Sequence, residues 1–299
     1  MDDGDQQLRD AVFRHLDRLL IASPSGALRF AEINTFTFDG VQLPLLVQTG
    51  IWKPARLDAA LTIRTAYTPP DQRPLYADDL GPEGMIRYKY RTGGSNQSDN
   101  RALRQAMVAG RPLAYFVGID KGVYVPRYPV WVVGEDQERG EFTIAVDEEQ
   151  RDVDLSHLSV PERAYVARLT NARLHQPVFR ARVLLAYRRR CAMCSLGHAE
   201  LLDAAHILPD GHPRGEPVVP NGISLCKIHH AAYDHNILGV RPDLVIEVQP
   251  KVLKEVDGPM LRYGLQELAG SSLLIPRQRV AQPDRERLEE RYEEFRAAG

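Results

Sequence analysis

The chain has 299 residues, of which 43% are hydrophobic and 26% are charged, and its formal net charge is -2. This length and composition are typical of a soluble globular protein with one large domain or two ordinary ones. No apolar run approaches the roughly 18 to 20 residues that span a membrane, and the N-terminus MDDGDQQLRD is acidic where a signal peptide is basic and then apolar. We therefore expect a cytoplasmic protein without a membrane-spanning segment.

Residues 1–150 begin with a predicted amphipathic helix, LRDAVFRHLDRLL, and continue as mostly β structure. The apolar side chains that recur at helical spacing in this helix are Leu8, Val12, Leu16 and Leu19. Strand patterns lie between Gly, Pro and Asp turns; they are LRFAEINTFTF, LTIRTAYT, MIRYKYRT, LAYFVGID, VYVPRYPVWVVG and EFTIAV. One helix, NRALRQAMVAG, interrupts them, with Ser98 or Asp99 as its cap and Gly110 at its end. This pattern predicts a small curved sheet or an open barrel.

The acidic stretch VDEEQRDVD, residues 146–154, has no periodic apolar pattern, so we interpret it as a linker and place a domain boundary there. Two helices are predicted after it, ERAYVARLTNARL and VFRARVLLAYRRR, the second running directly into Cys191. They form a helical connector over residues 151–190. The last segment, DRERLEERYEEFR, is predicted as a charged helix. Its apolar residues, which we expect to pack against a neighbour, are Leu288, Tyr292 and Phe295.

The connector is strongly basic. No acidic residue lies between Glu162 and Glu200, but eight arginines do. They are Arg163, Arg168, Arg173, Arg180, Arg182, Arg188, Arg189 and Arg190. Positive charges without negative ones, next to a group of cysteines, indicate a surface that contacts nucleic-acid phosphates. We favour this interpretation over a helix face that is only solvated. The arginines that we predict to bind DNA are Arg180, Arg182, Arg188, Arg189 and Arg190.

All three cysteines of the chain lie within 36 positions of one another. An odd number so concentrated excludes a disulfide framework and indicates a metal knuckle. Cys191 and Cys194 form a C-x-x-C pair, and Cys226 forms a C-x-x-H pair with His229. Tetrahedral zinc takes four such ligands, the first pair on a tight turn and the second on one helical turn. We predict a structural zinc site rather than three free cysteines and an unrelated histidine, because the spacing of both pairs fits.

The neighbouring His230 is rotated by about 100° around the same helix and cannot face the same ion without distortion. Asp234, four residues on, lies on the face of His230 and could orient its imidazole. Between the two metal-binding pairs, LLDAAHILPDG reads as a short strand with His206 near its end. The stretch NGISLC then places Asn221 in the loop before the helix.

A strand histidine, a loop asparagine and a helix histidine, framed by C-x-x-C and C-x-x-H, resemble the HNH endonucleases with their ββα-metal fold. The resemblance covers residues 188–240 and includes DAAHI, NGISLC and LCKIHHAAYD in this order. It implies that the catalytic residues are His206, Asn221 and His230. His206 would be the general base that takes a proton from the attacking water. His230 would hold a catalytic Mg²⁺ or Mn²⁺, and Asn221 would either hold the loop that shapes the site or contact that ion.

The chain departs from this family in one position. Many members place an acidic residue or a histidine directly before the base as a second metal ligand, and here that residue is Ala205. Asp203 is the nearest carboxylate, but on a regular strand it faces away from His206. Three explanations are open. A bulge turns Asp203 toward the ion, or Asp203 contacts the metal ligands without binding the ion itself, or the ion has fewer protein ligands. We keep Asp203 as a candidate ligand.

The overall layout resembles the modification-dependent restriction endonucleases, in which an SRA or other PUA-like β-barrel precedes a C-terminal HNH module. It implies an α+β protein with a reader domain over residues 1–150, a connector over 151–190 and a nuclease domain over 191–299. The stretches that carry it are GIWKP, MIRYKYRT and SDNRALRQAM. A reader needs a pocket for a flipped base, with aromatic faces and a polar edge. Candidate pocket residues are Trp52, Tyr88, Tyr90, Asp99 and Asn100, with Tyr115 as a further face and Lys53, Arg64, Lys89 and Arg91 as phosphate contacts.

These resemblances imply a type IV-like restriction endonuclease that recognises 5-methyl- or 5-hydroxymethylcytosine in double-stranded DNA and hydrolyses phosphodiester bonds. Two alternatives stay open. One is an HNH endonuclease that reads unmodified sequence or phosphorothioate DNA; the other is a zinc-containing DNA-binding protein without cleavage, which the catalytic trio disfavours. A double-strand cut normally needs two active sites, so we expect a homodimer, with the C-terminal helix as a candidate contact.

Overall fold

The computed structural model describes residues 3–69, 81, 84–153 and 158–299. The chain divides into two compact units, Met1–Val178 and Phe179–Gly299. The predicted connector is shared between them, residues 151–178 belonging to the first and 179–190 to the second. The three-part division made from the sequence stays a prediction. Within the described ranges, no helix combines the length and the apolar character that crossing a membrane requires.

The first unit combines short helices with a β-sheet. Its helices are α1 (Asp3–Ile21), α2 (Phe30–Ile33), α3 (Ser98–Val108), α4 (Glu148–Arg151) and α5 (Val160–Thr170), which a π-helical turn (Asn171–His175) joins to α6 (Gln176–Ala186). Its strands are β1 (Leu28–Arg29), β2 (Thr37–Phe38), β3 (Val41–Gln42), β4 (Ile51–Trp52), β5 (Thr62–Thr65), β6 (Ile86–Lys89), β7 (Leu113–Asp120), β8 (Val123–Asp136) and β9 (Glu141–Ala145).

A seven-stranded sheet organises this unit, in the order β4-β5-β7-β8-β9-β6 with β1 beside β8. The long strand β8 pairs with β7 through its first part and with β9 through its second part. The register shifts between Val132 and Gly134, and such bulges bend a strand and increase its twist. The sheet therefore curls into a half-barrel, as the strand pattern predicted.

The predicted first helix is confirmed, because Leu8, Val12 and Leu16 of α1 are fully buried. The strand predicted over LRFAEINTFTF is mostly wrong. Only its two ends are strands, and α2 lies between them because the Glu32 carboxylate accepts a hydrogen bond from the Arg29 backbone N–H at 2.7 Å, closing a capping box.

Helix α3 begins one residue away from the predicted cap. Its N-cap is Gln97, whose side-chain oxygen accepts hydrogen bonds from the backbone N–H groups of Asp99 and Asn100, so Ser98 and Asp99 lie inside the helix. The predicted end is confirmed, since Gly110 follows the helix with a φ of 60°, a left-handed conformation that glycine adopts without strain.

Residues 148–151 of the stretch read as a linker form the short helix α4 of the first unit. Asp147 caps α4, accepting from the Glu149 N–H at 3.1 Å. Gln150 is fully buried, and its amide donates to the Val166 carbonyl at 2.9 Å and to the Thr170 hydroxyl at 2.8 Å. These bonds fasten α4 to α5 within the first unit, and the boundary proposed there stays a prediction.

The second unit contains the ββα arrangement. Its strands are β10 (Leu202–His206), β11 (Gly222–Cys226), β12 (Leu238–Val240) and β13 (Ile246–Val248). Its helices after α6 are α7 (Lys227–Asp234), α8 (Pro250–Leu253), α9 (Pro259–Gly264) and α10 (Arg285–Ala297). The antiparallel hairpin β10-β11 leads directly into α7, and its Gly222 packs against Phe179 and Val183 of α6.

Helix α6 ends earlier than predicted. The pattern VFRARVLLAYRRR extended the helix to Arg190, but α6 ends at Ala186. Arg188 and Arg189 both have a φ of 54°, a left-handed conformation that is unfavourable for residues with a side chain. The chain therefore turns sharply just before Cys191.

The C-terminal helix α10 packs within its own unit. Leu288 is fully buried and Phe295 nearly so, with the Phe295 ring against Gly239 of β12. The Tyr292 hydroxyl donates to Glu247 of β13 at 2.7 Å. The predicted packing of this face is confirmed. Because the unit itself covers these residues, they are not a free dimer contact, and the homodimer stays a prediction.

Candidate metal and nuclease site

The two ligand pairs predicted for zinc come together in the second unit. The ligand atoms of Cys191, Cys194, Cys226 and His229 all lie within 4.8 Å of one another. The His229 Nδ1 atom is 3.3 Å from the Cys191 sulfur and 3.3 Å from the Cys226 sulfur. Three of these side chains are buried, and Cys194 is exposed. Among the residues that the structure describes, this is the group whose geometry could hold a metal ion.

The chemistry of this donor set fits zinc. The Nε2 atom of His229 lies 2.7 Å from the Gly264 carbonyl and donates to it, which places the ring proton on Nε2 and leaves the Nδ1 lone pair facing the sulfurs. Hydrogen bonds from Cys191 and Cys194 lower the pKa of the Cys226 thiol below its usual value, and the thiolate is the form that binds metal. One imidazole and three sulfurs match a closed tetrahedral site.

The first cysteine pair is fixed by its own backbone. The Ser195 N–H donates to the Cys191 carbonyl at 2.9 Å, and Ser195 has a φ of 62°. The Ala192 N–H donates to the Ser224 carbonyl of β11 at 2.7 Å. The knuckle is thus attached to the strand that ends in Cys226, which brings both pairs together.

His206, at the end of β10, is arranged as a proton acceptor. Its imidazole stacks on Phe179, with ring centroids 4.2 Å apart and an interplanar angle of 24°. Its Nε2 atom is buried and has no hydrogen-bond partner in the part of the chain that the structure describes. Burial lowers the pKa of His206, with smaller effects from the charges of Asp210 and His230. The imidazole is therefore neutral at pH 7.

His230 on α7 is placed differently from its neighbour His229. Its side chain is 24% exposed, whereas His229 is buried. The Nε2 atom lies 3.4 Å from the Asp234 carboxylate, and Nδ1 lies 3.9 Å from that of Asp203. The adjacent histidines therefore face different surroundings. His229 faces the cysteine sulfurs, whereas His230 faces the carboxylates of Asp203 and Asp234.

Asp203 is held by basic residues. The Lys227 ammonium is 2.7 Å from one of its oxygens, and the Arg180 guanidinium is 3.3 Å from the other. Although burial raises the pKa of Asp203, the hydrogen bond from Lys227 holds it below its usual value. Strand β10 pairs with β11 without a register shift from Leu202 to His206, so the bulge that we considered is absent from this strand.

Asn221 is fully buried, and both ends of its amide are occupied by backbone groups. Its oxygen accepts from the Leu208 N–H at 2.9 Å, and its nitrogen donates to the carbonyls of Leu208 at 3.0 Å and Glu216 at 3.2 Å. Of the two roles considered for Asn221, these bonds match holding the loop after His206. Contact of Asn221 with the catalytic ion stays a prediction.

The predicted DNA-binding arginines divide into two groups. Arg180 donates to the Leu202 carbonyl at 2.8 Å besides pairing with Asp203, so it braces β10, while Arg182 is half-buried. Arg190 is exposed and donates to the Ser195 carbonyl at 3.0 Å. Arg188 and Arg189 are exposed, which makes them the members of the set most accessible to a phosphate backbone.

A concave pocket, partly open to solvent, lies in the first unit. It is lined by Gln48, Thr49, Gly50, Ile51, Arg64, Thr65, Ala66, Tyr88, Lys89, Tyr90 and Arg91. Tyr88 and Tyr90 were predicted for the modified-base pocket. The segment around Gln48 was missed, because it is a loop without a sequence pattern and a tertiary contact brings it beside the tyrosines: the Tyr88 hydroxyl donates to the Gly50 carbonyl at 3.3 Å.

The other predicted pocket residues lie outside this lining. Trp52 packs against the apolar cluster under α1. Asp99 pairs with Arg91, and Asn100 is fully buried, with its amide bonded to the backbone of Arg91 and Gly94. Both side chains are thus engaged near the start of α3, and their proposed role as readers of a base edge stays a prediction.

An HNH endonuclease family model matches residues 191–241. No curated protein matches the chain. Among solved structures, a modification-dependent restriction endonuclease, TagI, is similar at 17% identity over 82% of this chain and 84% of that one, with a TM-score of 0.29. The matched residues contain both ligand pairs and the hairpin with α7, so the second unit carries an HNH endonuclease domain.

Proposed function

We propose that the protein is a metal-dependent DNA endonuclease in which His206 is the general base. The observation that carries the proposal is the buried, unpartnered Nε2 atom of His206 at the end of the HNH hairpin, within electrostatic reach of His230. A neutral imidazole with a free lone pair accepts a proton from an attacking water.

The remaining residues of the site fit supporting roles. The partly exposed imidazole of His230, oriented by Asp234, is suited to hold a Mg²⁺ or Mn²⁺ ion. When bound, that ion stabilises the charge of the pentavalent phosphate and of the leaving 3′ oxygen. Asp203 supports the site without binding the ion, because Lys227 and Arg180 already balance its charge. The structural zinc would be held by Cys191, Cys194, Cys226 and His229, which fixes the direction of the neighbouring His230.

The pH dependence of cleavage tests the role of His206. A general base acts in its neutral form, and burial lowers the pKa of His206, so the base stays neutral as the pH falls through the ordinary histidine range. We therefore expect the acidic limb of kcat/KM to lie below pH of about 6.5. A pH series of initial cleavage rates measures it; a limb well above that value would contradict the assignment.

We also propose that the first unit selects DNA that carries modified cytosine. Its pocket is lined by the partly exposed ring of Tyr90, a face for stacking, and by Gln48, whose amide has both a donor and an acceptor. The ring of Tyr88 in the same lining is buried. A second candidate is a backbone phosphate or phosphorothioate, which the cations Arg64, Lys89 and Arg91 in the same lining favour. Since a double-strand cut needs two active sites, we infer that the enzyme acts as a homodimer.

Cleavage of plasmids that differ in one modification distinguishes the two candidate ligands of the pocket. The protein is incubated with Mg²⁺ or Mn²⁺ and with unmodified, 5-methylcytosine, 5-hydroxymethylcytosine or phosphorothioate plasmid. We expect cutting of the cytosine-modified plasmids alone. Equal cutting of all plasmids would contradict modification dependence, and selective cutting of the phosphorothioate plasmid would support the second candidate.

Arg64 is the residue whose change should weaken the reader most. Its guanidinium donates to the Tyr124 hydroxyl at 2.7 Å and to the Gln48 carbonyl at 2.9 Å, and its buried Nε atom has no partner among the described residues. We expect Arg64→Gln to weaken DNA binding by about tenfold, since one charge-assisted contact is lost. Fluorescence anisotropy with a labelled duplex measures this; the exposed Arg18→Gln on α1 is the control. Equal affinities of the two variants would exclude Arg64 from the reader.

A further inference from the structure

The loop that follows the general base is compact and tightly held. This base loop, residues 207–218, closes on itself through hydrogen bonds from the His212 N–H to the Pro209 carbonyl and from the Gly215 N–H to the His212 carbonyl, both 2.8 Å. A Cβ atom on Gly215 would lie 1.9 Å from the Pro209 oxygen. Because the loop begins directly after His206, its position bears on the position of the base.

Helix α10 contacts the base loop through several ion pairs. The His212 Nε2 atom donates to Glu290 at 2.8 Å, and Arg214 pairs with Glu290 and, at 3.3 Å, with Glu286. Arg287 pairs with Glu216 at 2.8 Å. The helix residues 286, 287 and 290 lie on one face, as the i,i+3 and i,i+4 spacing requires.

The same helix also holds the end of α7. The buried guanidinium of Arg291 donates to the Tyr233 carbonyl at 2.6 Å and to the Asn236 side chain. It lies over the Tyr233 ring, 4.7 Å from its centroid. Tyr233 directly precedes Asp234 and lies one helical turn after His230. One helix therefore contacts both the loop after the base and the helix that carries the proposed ligand of the catalytic ion.

We propose that α10 is a clamp that sets the position of His206 relative to His230, with Glu290 and Arg287 as positioning residues for DNA cleavage. The proposal rests on the nuclease function proposed above. The Glu290 carboxylate is 35% exposed, and ion pairs near the surface contribute little to the stability of a fold. A small displacement of catalytic groups, by contrast, lowers a reaction rate by orders of magnitude. Loss of the clamp should therefore affect turnover far more than folding.

The test compares Glu290→Ala with Glu289→Ala, which changes an exposed neighbour on the same helix that has no ion pair among the described residues. We expect Glu290→Ala to lower kcat by about tenfold or more with KM within about twofold. Glu289→Ala should change neither. Zinc content and the midpoint of thermal unfolding, measured on the full chain, should match the wild type in both variants.

Exchanging the charges of the Arg287–Glu216 ion pair tests whether lost activity can be restored. Arg287→Glu places two carboxylates together at Glu216 and should lower kcat, and Glu216→Arg in the same chain should restore most of the loss. Equal kcat values for Glu290→Ala and the wild type, or no recovery in the exchanged pair, would overturn the clamp alone. A wild-type protein that cuts no DNA would overturn the proposed function and the clamp together.

Discussion

Replacing His206 by alanine is expected to abolish DNA cleavage and to leave zinc bound. The substitution removes the imidazole whose buried Nε2 atom accepts the proton of the attacking water. Loss of a general base typically lowers a rate by about 10² to 10⁴-fold. His206 is not among the ligand atoms that cluster around Cys226, so the zinc site should stay intact. Single-turnover cleavage of plasmid and atomic emission for zinc measure the two effects.

The exposed His198→Ala provides the matched control, since it removes an imidazole from the same unit outside the site. It should cut as fast as the wild type. Cleavage by the His206→Ala protein at a rate near that of the control would refute the assignment of the base. Loss of zinc from His206→Ala would show that the histidines are divided differently between the two sites.

The adjacent histidines should respond in opposite ways to the same substitution. His229→Ala removes a buried ligand whose Nδ1 atom faces two sulfurs, and we expect loss of zinc and local unfolding of the second unit. Structural zinc binding in small domains is worth about 10–16 kcal/mol, which exceeds what the packing of this hairpin can replace. His230→Ala should keep zinc and the fold but lose cleavage, because the partly exposed His230 side chain faces Asp203 and Asp234 instead.

Zinc content after dialysis and thermal unfolding of both proteins decide this pair. Each variant is the control for the other, since the two positions are neighbours on α7 and undergo the same chemical change. Equal loss of zinc from both would mean that the helix presents both imidazoles to one ion. Full zinc in His229→Ala would remove the histidine from the ligand set.

Much of the second unit could be predicted from the sequence because its chemistry depends on local geometry. A C-x-x-C turn, a C-x-x-H helical turn and the rotation between His229 and His230 are set by spacing alone. The surroundings of Asp203 could not be predicted. Its partners Arg180 and Lys227 come from α6 and α7, and no pattern in the sequence states which charges meet across a fold.

In the first unit, too, contacts between distant parts of the chain could not be predicted from the sequence. Alternation of apolar residues located β5 to β9, but it carries no information on which strands meet. The pocket depends on such a contact, since the Tyr88 hydroxyl of β6 donates to the carbonyls of Gly50 and of Arg64 in β5. Asn100 looked like an accessible polar group in a helix start, yet its amide is bonded to the backbone on either side. The short helix α2 was missed because the capping bond to Glu32 overrides a strand-like composition.

The most direct test of the nuclease is cleavage of supercoiled plasmid by the zinc-loaded protein with Mg²⁺ or Mn²⁺, with the His206→Ala protein beside it. We predict nicked and linear products from cytosine-modified plasmid with the wild type and none with the variant at equal zinc content. Intact plasmid of every modification state with both ions, or equal products from the variant, would contradict a hydrolytic site built on His206.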